Sequence, residues 1–526
     1  MMGQVLKLAA GIADILPNSV KEKNHLIDLS LALRLIHFPT SLAELEQAKQ
    51  RIAFEELFLL QLRSQLARRQ AQSLDALPVV FAEEETKAMV ASLPFALTED
   101  QRRSAWEIIQ SLASTKPMLR LLEGDVGTGK TVVALLAMLN VAKSGLQSAL
   151  MAPTEILATQ HYETLARLAA VTNLRIALLT RTQYKLNTAS EKLSKAKLIK
   201  IIAEGEADIV IGTHALIQEK VTFKNLDLVV IDEQHRFGVE QRKALMAKCV
   251  AQTMPHLLSM TATPIPRSLA LALYDDLDIS IIKTKPMGRP PIITKIVEES
   301  DRAKAYDYIG AQIKAGRQAF IICPLIDPSD LLGVRSVTEE YDRLSQSVFR
   351  DFTVGLLHGK LKAKDKDEMM KKFAANEINI LVATSVIEVG IDVPNAVIMM
   401  IENADRFGLA QLHQYRGRVG RGKVQSYCFL LTDSGDEKAR HRLNCLLEFD
   451  NGFDLAKADL KFRGPGEVYG RVQSGFPELK VASLFDFELM RRAKEAATGI
   501  LAQSEDLAKY PDLKNKLGEV EELHLE

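Results

Sequence analysis

The strongest constraint on this chain is a texture: short apolar runs that end at or just before Gly, Thr, Pro or Asp, separated by stretches of helical character. Met118–Leu122, Ala149–Ala152, Ile176–Leu179, Ile209–Gly212, Leu228–Ile231 and Leu257–Met260 form one series. Ala319–Cys323, Val354–Leu357, Ile380–Ala383, Val397–Ile401 and Tyr427–Leu431 form another. Strands buried on both faces lose the apolar–polar alternation of a half-exposed sheet, and parallel strands need a crossover, usually a helix, between them. Pro286, Gly288, Pro290 and Pro291 separate the two series and read as a hinge. The pattern therefore predicts an α/β protein with two tandem doubly wound parallel-sheet domains, spanning 78–285 and 286–450. The two series share no visible sequence repeat.

Residues 1–77 read instead as a helical connector. Ser41-Leu-Ala-Glu44 is a capping-box pattern, in which a hydroxyl and a carboxylate satisfy free N–H groups at a helix start. Leu45, Ala48, Ile52, Leu59, Leu62 and Leu66 then recur at helical spacing. One stripe of this kind serves either a partner protein or, as a strut, the chain's own domains. Residues 451–526 remain as a C-terminal segment beyond the second series.

Composition narrows the function classes. The 526 residues include 67 Lys+Arg and 67 Asp+Glu, a formal net charge of zero. A polybasic nucleic-acid coat, which depends on a positive field over its whole surface, is excluded. At 47% hydrophobic residues the chain can fill several cores. No stretch reaches the roughly 18 uncharged apolar residues of a membrane span, so no membrane partner is expected. Lys7 and Asp14 interrupt the apolar residues of the N-terminus, so no secretory signal is expected. Cys249, Cys323, Cys428 and Cys445 lie far apart and form no CxxC pair. They are expected as reduced thiols of a cytoplasmic protein, without a zinc site.

The chemistry concentrates at three places. Gly124-Asp125-Val126-Gly127-Thr128-Gly129-Lys130-Thr131 matches GxxxxGK[ST], follows a strand and opens the helical run Val132–Leu139. Such a loop wraps backbone N–H groups around phosphates at a helix N-terminus. Lys130 would reach the β- and γ-phosphates of ATP, and the Thr131 hydroxyl would ligate Mg²⁺. A second acidic half is expected at the end of a neighbouring strand, and Leu228-Val-Val-Ile-Asp232-Glu233-Gln234-His235 supplies it. Asp232 would hold the Mg²⁺ and Glu233 would polarise the attacking water. Third, Gln414-Tyr-Arg-Gly417-Arg418-Val-Gly420-Arg421-Gly422 sets guanidinium groups on a glycine-rich turn. Arg418 and Arg421 suit the γ-phosphate across a cleft between the domains. Arg406 to Lys423 holds five basic residues and no acid, so for Arg406 and Arg416 a nucleic-acid contact competes with that role.

With these motifs in place the chain resembles the superfamily 2 helicases and, over nearly its whole length, the RecG family of branched-DNA helicases. Phe95-Ala-Leu-Thr98-Glu-Asp-Gln101 resembles the family's adenine-recognising segment. Ala152-Pro-Thr154-Glu-Ile-Leu-Ala-Thr-Gln160-His161 and Ile211-Gly-Thr213-His214 resemble its DNA-backbone motifs, and Ser259-Met-Thr261-Ala-Thr263-Pro its coupling motif. His358-Gly359-Lys360 and Ala383-Thr384-Ser385-Val-Ile-Glu388-Val-Gly390-Ile-Asp392 resemble the motifs of the second domain. The box Asp-Glu-Gln-His, ending at His235, fits RecG and its relatives. Gly452-Phe-Asp-Leu-Ala-Lys457 through Arg463, Gln473 and Gly475 resembles the translocation motif that RecG shares with the transcription–repair coupling factor.

The resemblance implies two RecA-like domains followed by a helical-hairpin and loop segment within 451–526, with Phe95, Thr98, Gln101 and Asp392 joining the phosphate loop in binding ATP. It implies DNA contact or coupling for Thr154, Thr213, His235, Thr261, Thr263, His358, Thr384, Arg463 and Gln473. Read as residues alone, Thr154 and Thr213 also suit helix caps, Phe95 a core position, His358 a loop, and Asp392 an arginine partner. The implied activity is a monomeric, ATP-dependent, 3′-to-5′ motor in the bacterial cytoplasm, at the nucleoid. It would track double-stranded DNA at stalled forks and Holliday junctions in recombination and repair.

The sequence departs from the family in two places. Lys457 stands where the motif has an acid. The match also begins at Gly3-Gln-Val-Leu-Lys-Leu, where the family's OB-fold wedge would already have ended. A truncated or split product, with junction recognition on a separately encoded wedge domain or another repair protein, is expected on that basis. A DNA- or partner-binding remnant without turnover, and the motor of a transcription–repair coupling factor, are the competing readings.

Overall fold

The computed structural model describes residues 12–189, 191, 193–249, 253–262, 277–286, 290–324, 337–384, 393–422, 424–463, 479–483 and 486–518. Two sheets dominate. The first runs β1 (Leu119–Gly124), β2 (Gln147–Met151), β3 (Ile176–Leu179), β4 (Tyr184–Leu186), β5 (Ile209–Gly212), β6 (Leu226–Asp232), β7 (His256–Thr261) and β8 (Asp278–Ile282). Their spatial order is β4-β3-β5-β2-β6-β7-β1-β8. All neighbours are parallel except β4, which returns antiparallel to β3 at one edge.

The second sheet contains β9 (Ile293–Val297), β10 (Gln318–Ile322), β11 (Val354–Leu357), β12 (Ile380–Ala383), β13 (Ala396–Ile401) and β14 (Tyr427–Leu431). It is fully parallel, in the order β11-β12-β10-β13-β14-β9.

The apolar texture has a direct physical origin. Along β6, Leu228 and Val230 enter one core while Val229 and Ile231 enter the core on the opposite face. In the second sheet Phe320 and Ile322 oppose Ala319 and Ile321 in the same way. Both faces are covered, so alternation has no solvent side to record. The helix Lys130–Lys143 is buried from Val132 to Val141 and is accordingly apolar all round.

The connector helix runs from Leu42 to Ser73, with Ser41 accepting from the Glu44 N–H at its start. Its stripe is a strut. Phe54, Leu57, Phe58 and Leu62 share a core with Leu489, Met490, Ala493, Ala497 and Leu501 of the C-terminal helix Phe487–Gln503. Arg69 donates to the Leu501 carbonyl at 2.8 Å, strengthening that seam. The connector also docks on the first domain, where Arg68 pairs with Asp278 at 3.0 Å and the Leu77 carbonyl lies 3.1 Å from His256 Nε2. Helices Glu437–Glu448 and Gly452–Arg463 follow the second sheet as a hairpin; its first helix precedes the expected segment 451–526, and residues 464–478 of that segment lie outside the described residues.

Candidate active site

The phosphate loop leaves the C-terminal end of β1, which lies next to β7, and β7 in turn lies beside β6. This places the loop and the Asp232–Glu233 pair at the same edge of the sheet, where doubly wound folds bind ligands. Gly127 and Gly129 have φ of +80° and +83°. At Gly129 a Cβ would also collide with the Gln101 amide, so the loop's close turn requires glycine there.

Opposite this edge stands the second domain. Pro94, Phe95, Val126, Gly127, Gly129, Lys130, Thr131, Asp232, Glu233, Arg418 and Arg421 line one cleft of about 650 Å³. That volume lies within the range of small-molecule sites. A Cβ on Gly417 would sit 3.0 Å from Val126 Cβ, so the arginine turn abuts the phosphate loop directly.

The charges of the cleft are interlocked. Lys130 Nζ donates to the carbonyls of Gly124 at 2.6 Å and Asp125 at 3.2 Å. Burial pulls the Lys130 ammonium below the usual lysine value, while Glu233, Asp232 and Asp125 work to keep it charged. Asp232 Oδ2 lies 2.7 Å from His161 Nε2. Burial alone would raise the Asp232 carboxyl, but the hydrogen bond and charge of His161, with Lys130, hold it below its ordinary value. Glu233 moves the other way: burial, then the neighbouring Asp232, raise its carboxyl. Adjacent carboxyls pushed apart in this way suit different roles, the lowered one as a charged ligand and the raised one as a proton acceptor. Glu233 adopts φ +52°, the left-handed region, and receives the Ala262 N–H at 3.4 Å.

The structure thus brings together all the residues expected to carry the reaction and most of the loop. Gly124, Asp125 and Thr128 are buried beneath the loop rather than on the cleft wall. Thr98 and Gln101 also stand back from the cleft. They form a capping box at the helix Glu99–Leu112, and Gln101 Nε2 donates to the Thr128 carbonyl at 2.7 Å. Gln101 is therefore tied to the shape of the phosphate loop, while Phe95, 40% exposed, supplies a flat apolar surface at the cleft.

Thr154 caps the helix Glu155–Leu168, accepting from the Leu157 N–H. Thr213 is buried after β5, Thr261 ends β7, His358 follows β11, and Thr384 is buried after β12. All five occupy C-terminal strand ends. Thr263, Asp392 and Gln473, with the side chains of His235 and Arg463, lie outside the described residues. Lys457 pairs with Asp454 on its own helix at 3.4 Å.

Two participants had no role in the site assigned from the sequence, although His161 closes the segment Ala152–His161. His161 follows Thr154 by seven residues, two helical turns, which puts both on one helix face; that spacing was the available clue. His413 Nε2 lies 2.6 Å from Asp125 Oδ1, joining residues 288 apart in sequence, a contact no local pattern encodes.

Comparison with known proteins agrees with this geometry. Residues 99–271 match the DEAD/DEAH box helicase family, 302–423 the helicase conserved C-terminal domain, and 449–522 the C-terminal part of domain 3 of the ATP-dependent DNA helicase RecG. The RecG helicase of a Synechocystis species is 46% identical over 511 residues, covering 97% of this chain and 60% of the relative. That of Thermotoga maritima is 47% identical, covering 93% and 61% respectively. The Bacillus subtilis helicase is 43% identical over 94% of this chain and 71% of its own length. A solved structure of RecG bound to a three-way DNA junction superposes with a TM-score of 0.79 at 42% identity, covering 93% of this chain and 62% of that one. The chain thus spans about 60% of the length of the first two relatives. With both motor domains and the C-terminal segment matched, the chain belongs to the RecG family of ATP-dependent DNA helicases.

Proposed function

We propose that this chain is an ATP-hydrolysing DNA motor that translocates 3′-to-5′ on duplex DNA and remodels branched DNA, as a cytoplasmic monomer. The observation that carries the reading is the convergence of Lys130, the Asp232–Glu233 pair and Arg418 with Arg421 on one cleft between two domains. A hydrolytic site divided between two bodies turns each cycle of binding and release into relative motion of those bodies.

The donor set fits a Mg²⁺-bound triphosphate. A hydroxyl and a low-lying carboxyl, Thr131 and Asp232, are oxygen ligands of the kind Mg²⁺ takes, and Lys130 with two guanidinium groups balances the phosphate charge. Bound there, Mg²⁺ would neutralise charge on the β- and γ-oxygens. Lys130 orients those phosphates, Glu233 polarises the attacking water, and Arg418 and Arg421 stabilise charge on the transferred group. Phe95 offers a stacking surface for the base. The threonines at the strand ends position a DNA backbone without reading sequence. Residues 451–526, with Arg463 and Gln473, convert domain motion into a step along the duplex. Residues 1–77 hold that segment to the first domain.

ATP turnover measured without DNA, with linear duplex and with a forked junction tests the reading. Mg²⁺-dependent turnover, stimulated by DNA and abolished in Lys130→Ala, is expected. No turnover under any of the three conditions sinks it and leaves a binding protein without catalysis. A junction preference of this chain would place branch recognition within its own residues.

A further inference from the structure

Asp125 is a buried residue of the phosphate loop whose carboxylate does not face the cleft. It turns toward the second domain and gathers four donors from four places. These are the Val126 N–H at 2.8 Å, His413 Nε2 at 2.6 Å, Lys285 Nζ at 3.4 Å and the Gly452 N–H at 3.4 Å. Lys285 belongs to the hinge, His413 to the helix that carries the arginine turn, and Gly452 opens the hairpin helix Gly452–Arg463.

The same turn is held a second time. Arg416 donates to the carbonyls of Leu446 at 2.7 Å, Phe449 at 2.9 Å and Asp450 at 3.2 Å, and Lys285 Nζ reaches the Asp450 carbonyl at 3.5 Å. Arg416 also lies 2.9 Å from His413 Nδ1. A guanidinium only donates, so His413 Nδ1 accepts and its proton sits on Nε2, aimed at Asp125. Burial, against the pull of Asp125, moves the His413 ring below its ordinary value, the direction that favours the neutral ring. The contacts close a ring: Asp125, His413, Arg416, the carbonyls of 449 and 450, the Gly452 N–H, and back to Asp125. Asp125, His413 and Arg416 are 2–3% exposed.

The cleft reaches this ring through Lys130, whose ammonium donates to the Asp125 main-chain carbonyl from the opposite side. A triphosphate on the loop competes for that ammonium, so seating it changes the restraint on the Asp125 peptide. We propose that Asp125 is a positioning residue that transmits occupancy of the phosphate loop, through His413 and Lys285, to the turn Phe449–Gly452 and thus to the C-terminal hairpin. This rests on the reading of the cleft as an ATP site. It adds a connection separate from the arginines that face the cleft.

Amide hydrogen exchange over residues 449–455, with and without ADP, tests it in the full chain; a fluorescent ADP analogue reports binding independently. ADP is expected to change exchange there by about tenfold, the scale of one buried charge-assisted hydrogen bond opening. His413→Phe, which lacks ring nitrogens, loses the change while the analogue still binds. His413→Gln, which keeps an Nε2 donor, retains it. Lys285→Met, at a side chain 43% exposed where folding is not at stake, reduces it. A wild-type chain that binds the analogue without an exchange change, or variants that all respond as wild type does, overturns the proposal and leaves the ATP reading intact. A wild-type chain that does not bind the analogue overturns both.

Discussion

His161 offers the sharpest test of how the site is built. Its Nε2 lies 2.7 Å from Asp232 Oδ2, with the two side chains 8% and 10% exposed. A charge-assisted hydrogen bond between groups so far removed from water is worth about 1.5–3 kcal/mol, or roughly 10- to 150-fold in an equilibrium. His161 lines the cleft, so water entering the space left by His161→Ala would recover part of the bond. The expected loss is therefore about 10- to 100-fold in apparent Mg²⁺ affinity, the scale of residues that orient metal ligands. ATP turnover titrated with Mg²⁺ at saturating DNA reads this. His161→Ala should need more Mg²⁺ and approach the wild-type rate when it is supplied. His161→Gln, which places an amide nitrogen near the Nε2 position, should recover most of the deficit. An alanine variant with unchanged Mg²⁺ dependence would falsify the claim that His161 orients Asp232. Equal losses in both variants would point to packing instead.

Three further variants test other parts of the fold. Gly129→Ala should abolish binding of a fluorescent ADP analogue, because φ +83° costs an alanine about 1–2 kcal/mol and the new methyl strikes the amide that holds the Thr128 carbonyl. Arg51 is fully buried between Asp14 at 2.5 Å and Glu55 at 2.6 Å, each carboxylate 19% exposed. Arg51→Met should raise local exchange in the connector helix by an equivalent of about 2–4 kcal/mol. Burial opposes ionisation of Asp14, but the Leu29 N–H and Arg51 hold its carboxyl low. Its stabilising contribution is therefore present above the ordinary carboxylate value and lost as pH falls through the lowered one. The methionine variant should show a weaker acid dependence in that region. Asp227 behaves oppositely: burial raises its carboxyl to about 7, and among the described residues its Oδ2 makes no hydrogen bond, with His256 Nε2 3.8 Å away. The folded state binds the extra proton, so stability falls as pH rises from about 4 through 7. Asp227→Asn should raise the melting temperature at pH 8 and leave it nearly unchanged at pH 5, read by Trp106 in the same domain; equal effects at both pH values refute the assignment.

What the sequence reveals follows from how each element is solvated. Central strands such as β6 and β12 are apolar on both faces and stand out as runs. The strands that escape a search for runs are Tyr184–Leu186, Asp278–Ile282 and Ile293–Val297, all at sheet edges with polar residues interleaved. Chemistry follows the same division. Lys130 and Asp232 sit in short motifs because one loop or one strand end must shape each of them. His161 and His413 act on partners contributed by distant segments, so their roles appear only once the sheets bring the segments together. Gln101 shows a third case: its motif is legible, but its amide is spent on the loop that binds the phosphates.

The seam between the connector helix and the C-terminal helix has a mechanical consequence. The first domain leads through the hinge to the second, then to the hairpin, then to Phe487–Gln503, and that helix is packed on Leu42–Ser73, which is anchored back on the first domain. The load path is therefore a closed frame. On the proposed motor reading, a displacement at the cleft meets the packed helix Phe487–Gln503 rather than a free tail. The hairpin helices Glu437–Glu448 and Gly452–Arg463 lie along the chain within that frame, between the second sheet and the helix packed on the strut. On that reading, Leu57→Ala or Leu501→Ala would loosen the abutment against which the two domains push.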